Sequence, residues 1–267
     1  MPVSITRVKQ RVATPSYKVD GIPELEGVQF TNSSPDSRDF SRAVEFAAGL
    51  EGQVLWSAQE AVAFRYAALA AGKDGFDNAN NHQWTRTASI YFKSEGETWY
   101  VAFDDISDAR ENIVLAKAQE GYESHRTRGK FPLSMRTELV KSTLKRADKN
   151  DRIIAVPESN LELELLTKPT DVQNSVAGNI QANILLGYAA PLQAKFLNKK
   201  GYEKGCFYLL QPSDLERLNL KKNQAEIRAV RLGEEVYNIL NYVGAYCGFD
   251  SPGHAAGVVG AKKFQRK

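Results

Sequence analysis

Cysteine is scarce in this sequence: Cys206 and Cys247 are the only two among 267 residues. Two are too few for a disulfide framework. Each stands among apolar and aromatic neighbours, GCFYLL and NYVGAYCGF. Buried free thiols are therefore expected, in a reducing compartment such as the cytoplasm of a cell or of an infected host. Long apolar runs are missing too. None approaches the length that crosses a bilayer, so no membrane partner is expected. The opening MPVSITRVKQRV has basic residues but no apolar block behind them, unlike a secretory signal. Histidine is sparse: His82, His125 and His254 each lack a second His or Cys at metal-ligand spacing. The nucleophile-elbow, phosphate-loop and dinucleotide-binding patterns are absent, and Gly257 to Lys263 matches a phosphate loop only in part. Lys73 to Gln83, KDGFDNANNHQ, lacks the glycine and terminal glutamate of a calcium loop. No catalytic residue, metal or cofactor is expected, and the chain reads as a non-enzyme. Asp104 and Asp105 are the nearest exception. They end a strand, where two-metal nucleases keep carboxylates, but no third acid accompanies them.

What is present is positive charge gathered into blocks. His125 to Lys149 holds Arg126, Arg128, Lys130, Arg136, Lys141, Lys145, Arg146 and Lys149 against Glu138 and Asp148, a net +6. Residues 1–18 carry +4 through Arg7, Lys9, Arg11 and Lys18. The terminal Lys262, Lys263, Arg266 and Lys267 add another +4. The whole chain is only +3, which leaves −11 for everything else. Charge segregated in this way is a footprint of proteins that meet polyphosphate.

The coarse pattern predicts an α+β fold: a single compact domain of short antiparallel strands flanked by helices, with a flexible N-terminal arm and a basic C-terminal tail. Residues 1–36 read as an extended basic arm interrupted by Pro2, Pro15, Pro23 and Pro35. Residues 37–247 form the globular core. Residues 248–267, rich in glycine, read as a flexible basic tail. Helices are expected from Ser37 or Asp39 to Leu50, Ser57 to Ala71, Ser107 to Gly121, Leu133 to Lys149, Asp171 to Leu197 with a break at Pro191, Asp214 to Leu220 and Glu234 to Tyr246. Ser57 with Glu60 fits a capping box, and Gly72 a stop. Strands at 87–93 and 98–104 form the clearest hairpin, and further strands are expected at 3–8, 152–156, 161–166, 206–211 and 225–232. Glu162 and Glu164 read as surface residues on the wet side of a strand.

Two stretches interleave basic and aromatic residues. The hairpin carries Tyr91, Lys93 and Trp99, and one open face of such a ribbon offers rings for base stacking. The segment from Lys195 carries Lys199, Lys200, Tyr202 and Lys204. Together with the +6 stretch these are the candidate nucleic-acid contacts: cations follow the phosphates, each releasing a counterion, while rings stack on bases. The tail cations Lys262, Lys263, Arg266 and Lys267 are candidate contacts to a partner or to the nucleic acid.

In its length, its 11 tyrosines and three tryptophans, and its end at Lys262-Lys263-Phe264-Gln265-Arg266-Lys267, the chain resembles the single-stranded DNA-binding proteins of lytic short-tailed phages. That resemblance implies a viral protein of the host cytoplasm that binds single-stranded DNA. It implies a role in DNA replication or as a transcription cofactor, with an RNA polymerase or replication protein as partner and self-association along the strand. No functional residue is carried over, because no motif matches residue by residue. Many single-stranded DNA-binding proteins end in an acidic tail, whereas this one is basic. Two alternatives compete: a virion structural or assembly protein whose arms contact the genome, and a metal-dependent nuclease using Asp104 or Asp105.

Overall fold

The computed structural model describes residues 4–8, 16–31, 40, 43, 46–47, 54–72, 83–93, 99–105, 153–155, 163–166, 185–201, 204–208, 210, 212–217, 219, 225–235, 240–247 and 257–259. In chain order the strands are β1 (Ser4–Val8), β2 (Ser16–Asp20), β3 (Gln29–Thr31), β4 (Val54–Leu55), β5 (Gln83–Lys93), β6 (Trp99–Asp105), β7 (Ile153–Ala155), β8 (Leu163–Leu166), β9 (Lys204–Tyr208), β10 (Ala225–Glu235), β11 (Leu240–Cys247) and β12 (Gly257–Val259). The helices are α1 (Ala58–Ala71), α2 (Ala190–Lys200) and α3 (Pro212–Arg217). Short 3-10 turns lie at Pro23–Leu25 and Gly187–Ala189.

The strands form two sheets. One runs β1-β2-β3-β12-β4, and the other runs β7-β6-β5-β10-β11-β9-β8. Pairing is antiparallel throughout, except that β11 and β9 are parallel. The chain is thus a mixed α+β protein.

Helix α1 organises the core. Ser57 caps it: the hydroxyl accepts from the Glu60 N–H at 3.1 Å, and the Glu60 carboxylate accepts from the Ser57 N–H at 2.7 Å. Such a cap contributes about 1 kcal/mol. Gly72 ends the helix at φ 57°, in the left-handed region that favours glycine. The small residues Ala58, Ala61, Ala63, Ala67 and Ala68 let other elements approach closely, and Gln59, Glu60 and Arg65 are buried with them. Ala61, Phe64, Ala68 and Leu69 make an apolar face in the sequence, but the helix is enclosed nearly all round. The Phe64 ring stacks on Phe30 at 4.9 Å and meets Trp56 at 5.7 Å and Tyr17 at 6.4 Å.

Those contacts correct the reading of 1–36 as an extended arm. Residues 16–31 include β2 and β3, and Val19, Ile22, Leu25, Val28 and Phe30 are core residues. The tail reading of 248–267 changes likewise, because β12 lies between β3 and β4, with Val258 opposite both Phe30 and Val54. The helix expected over 234–246 is replaced by the end of β10 and by β11. Leu185 and Leu186 are helical and a 3-10 turn follows at Gly187–Ala189, so the expected break falls just before Pro191, which stands in the first turn of α2, where its missing N–H costs nothing.

The other expectations fall variously. Phe40, Ala43, Phe46 and Ala47 are helical, with Phe40, Ala43 and Ala47 buried. The hairpin at 83–105, the strands near 153 and 163 and the short helix after Ser213 are found close to their expected places. The expected helices at 107–121 and 133–149, and the part of 171–197 before Leu185, lie outside the described residues.

Buried polar contacts join the two sheets. The Trp56 indole Nε1 donates to the Trp84 carbonyl at 2.7 Å, and the Arg86 N–H donates to the Trp56 carbonyl at 2.8 Å. The Arg86 guanidinium Nη1 reaches the Leu55 carbonyl at 2.8 Å and Glu60 Oε2 at 2.6 Å. One carboxylate therefore serves both the helix cap and the strand junction. Beside it, the Ala58 N–H donates to Thr87 Oγ1 at 2.9 Å. Strand β10 carries a bulge between Ala229 and Arg231, and the Thr85 hydroxyl donates to the Val230 carbonyl there at 2.7 Å.

Candidate nucleic-acid interface

The register of the β5–β6 hairpin places Lys93 directly opposite Trp99, with Tyr91 two residues along the same face. The sequence expected that face to be open. Instead it is covered. Tyr91 is fully buried, and its phenol oxygen accepts from the Leu210 N–H at 3.1 Å. Helix α3 lies against the hairpin end and buries Leu215. Its next residue, Glu216, accepts from the Trp99 indole Nε1 at 2.7 Å and from Lys93 Nζ at 3.4 Å, both on Oε1. Trp99 is only 8% exposed, and the Lys93 ammonium lies 5.5 Å from its ring centroid. Neither Tyr91 nor Trp99 is therefore available for base stacking in this conformation. Packing outcompetes exposure because a large ring beside a short helix buries more apolar area than it leaves free.

The Glu216 carboxyl is held below the ordinary glutamate range, first by the Trp99 hydrogen bond and then by the Lys93 charge, while burial works in the opposite sense. Glu216 went unnoticed in the sequence because it lies more than a hundred residues from its partners. The Glu226–Arg228 ion pair at 2.8 Å was missed as well. In sequence they alternate with apolar residues along the strand expected at 225–232, and Glu226 is buried on central strand β10. Its cross-strand neighbour is Tyr91, so this polar pair lies on the same covered face.

The remaining candidates separate. Lys199 Nζ donates to the Leu69 carbonyl at 3.0 Å, tying the end of α2 to the last turn of α1. A cation at a helix C-terminus is stabilised by the unsatisfied carbonyls there, so Lys199 has a structural contact as well as an exposed side chain. Lys200 is exposed in the last turn of α2, and Lys204 begins β9. Asp104 and Asp105 end β6 opposite Ala88 and Thr87. Among the described residues no three His, Cys, Asp or Glu come together as a metal site. No helix among them is long and apolar enough to cross a membrane. Tyr202, the stretch with Arg126, Arg128, Lys130, Arg136, Lys141, Lys145 and Arg146, and the tail cations Lys262, Lys263, Arg266 and Lys267 lie outside the described residues. So do all three histidines. Cys206 stands opposite Tyr242 in the register of β9 and β11, and Cys247 ends β11.

Strand directions nevertheless relate the cationic segments. β6 and β9 run in opposite senses within the seven-stranded sheet, so the Asp105 end of β6 and the Lys204 end of β9 point the same way. The Ile153 end of β7 points that way too. The +6 stretch falls in sequence between these two strand ends, both of which point the same way as the Lys204 end of β9. Lys93 and Trp99 lie at the opposite end.

No protein-family model matches the chain, and no curated protein matches it either. A solved structure described as "Accommodation of massive sequence variation in Nanoarchaeota by the C-type lectin fold" is similar, with a TM-score of 0.54. Identity is 13% over 85% of this chain and 97% of that one. At that identity the likeness is one of fold: an α+β arrangement of the C-type lectin kind.

Proposed function

We propose that the chain is a non-enzymatic protein that binds single-stranded DNA through clustered cations. The observation that supports the reading is that the +6 stretch falls in sequence between β6 and β7, whose Asp105 and Ile153 ends point the same way as the Lys204 end of β9. Cations that neutralise the phosphates of a nucleic-acid strand release its counterions, and a net +6 within one stretch supplies several such contacts. The contribution first assigned to rings is smaller, because Tyr91 and Trp99 are covered. Binding on this reading is dominated by phosphate contacts and tolerant of base sequence. A setting in phage replication or transcription, with polymerase contact and self-association, is carried by the resemblance in composition alone.

The test reverses charge in the stretch. A triple variant R126E/R128E/K130E changes local charge by six units. Fluorescence anisotropy with a labelled oligothymidylate should show affinity falling by at least about a hundredfold at low salt. Unchanged affinity would remove the reading.

A second reading is favoured by the fold likeness. The description of that structure credits the C-type lectin fold with accommodating massive sequence variation in Nanoarchaeota. In this chain the enclosed helix α1 and the deeply buried strand β5 form the described core, and residues 106–152 fall between two strands of the same sheet. That stretch would then be a recognition surface for a protein partner. Charge reversal without effect on oligonucleotide binding, but with loss of a protein complex, would favour it.

A further inference from the structure

We infer that Lys93 Nζ and Trp99 Nε1 form a binding site for one phosphate oxyanion, occupied in the free protein by the chain's own Glu216 carboxylate. The inference rests on the proposed strand binding and adds a contact at the other end of the hairpin. Both donors converge on a single atom, Glu216 Oε1, at 3.4 and 2.7 Å. A point site for one charged oxygen suits a non-bridging phosphate oxygen as well as a carboxylate. The donors are pre-positioned by the sheet. Lys93 and Trp99 are a directly opposed cross-strand pair, and the ammonium is steered by the indole face 5.5 Å away. Trp99 is nearly buried, so its N–H has little choice of direction.

The occupant is much less confined than the site. The Glu216 side chain is 62% exposed, and the Lys93 side chain 23%. An exposed carboxylate on a surface pair exchanges readily with water and with other anions. Helix α3 need not leave for this to happen. Leu215 stays buried, and the Leu210 N–H remains on the Tyr91 phenol. Glu216 therefore acts as a tethered competitor, and a phosphate group must displace only its side chain. Its lowered pKa is consistent with a site that favours negative charge. The site lies roughly 20 Å along the hairpin from Asp105, where the chain leaves for the cationic stretch. A strand several nucleotides long would be needed to touch both.

The readout is built into the protein. Trp56 and Trp84 are fully buried, so a change in indole emission on adding an anion reports chiefly on Trp99. Wild type, Glu216→Gln and the double variant K93Q/E216Q are titrated with inorganic tripolyphosphate and, separately, with oligothymidylate. Glutamine keeps an acceptor for the indole but loses the competing charge. The emission response of Glu216→Gln should appear at about tenfold lower anion concentration than in wild type, and K93Q/E216Q should lose it. Identical titrations for wild type and Glu216→Gln, or a response that survives in K93Q/E216Q, would overturn the site. Anisotropy of the labelled oligonucleotide separates the two claims. Oligonucleotide binding that ignores Glu216→Gln sinks the site and leaves strand binding standing. An emission response to tripolyphosphate without any oligonucleotide binding supports the site and removes the strand reading.

Discussion

Single carboxylates settle several local questions in this molecule. Glu60 caps α1, accepts from the Ser57 N–H and receives Arg86, all within 3.1 Å. Its role in the cap was legible, because Ser57 and Glu60 stand three apart before an apolar run. Its role at the strand junction was not, because Arg86 is 26 residues away and only the fold brings it near. Glu216 is the exposed counterpart. Its folded pKa is depressed, so its contact with Trp99 and Lys93 is fully present above the ordinary glutamate range and is lost as pH falls through the lower folded value. An acid titration followed by indole emission should therefore show a transition below that range, missing in Glu216→Gln. A transition at the ordinary glutamate value would mean that the contact does not form in solution.

At the scale of elements, local pattern succeeded where the element carries its own signals. Helix α1 has a cap, an alanine-rich body and a glycine stop. The β5–β6 hairpin has alternating aromatic and β-branched residues. Pattern failed where partners decide. Val236, Ile239, Leu240 and Val243 have helical spacing, yet 240–247 is a strand because β10 and β9 supply hydrogen-bonding partners on both sides. Gly257-Val-Val259 is too short to signal a strand, and its partners β3 and β4 lie about 200 residues earlier. Val258→Pro tests that strand. It removes a backbone donor in the middle of the five-stranded sheet and should destabilise the protein by about 2–3 kcal/mol in urea denaturation. An unchanged midpoint would return these residues to the status of a tail.

For the whole molecule, the class of fold was legible in its mixture of helical and alternating segments, and the architecture was not. Two sheets closed by a C-terminal strand demand pairings across most of the chain, which no local window records. The charge blocks were legible at once, since they need no folding to be counted. What the fold adds is direction: β6 ends and β7 begins at the sheet end where Lys204 begins β9. It also withdraws Tyr91 and Trp99 from base stacking, since both rings are covered. The account therefore rests on phosphate contacts, and its most direct test is the salt dependence of oligothymidylate binding. If the six net charges of the stretch neutralise phosphates, log K should fall with log salt at a slope near −4, from about 0.7 per contact on a single strand. A slope near zero, or no binding at low salt, would contradict it.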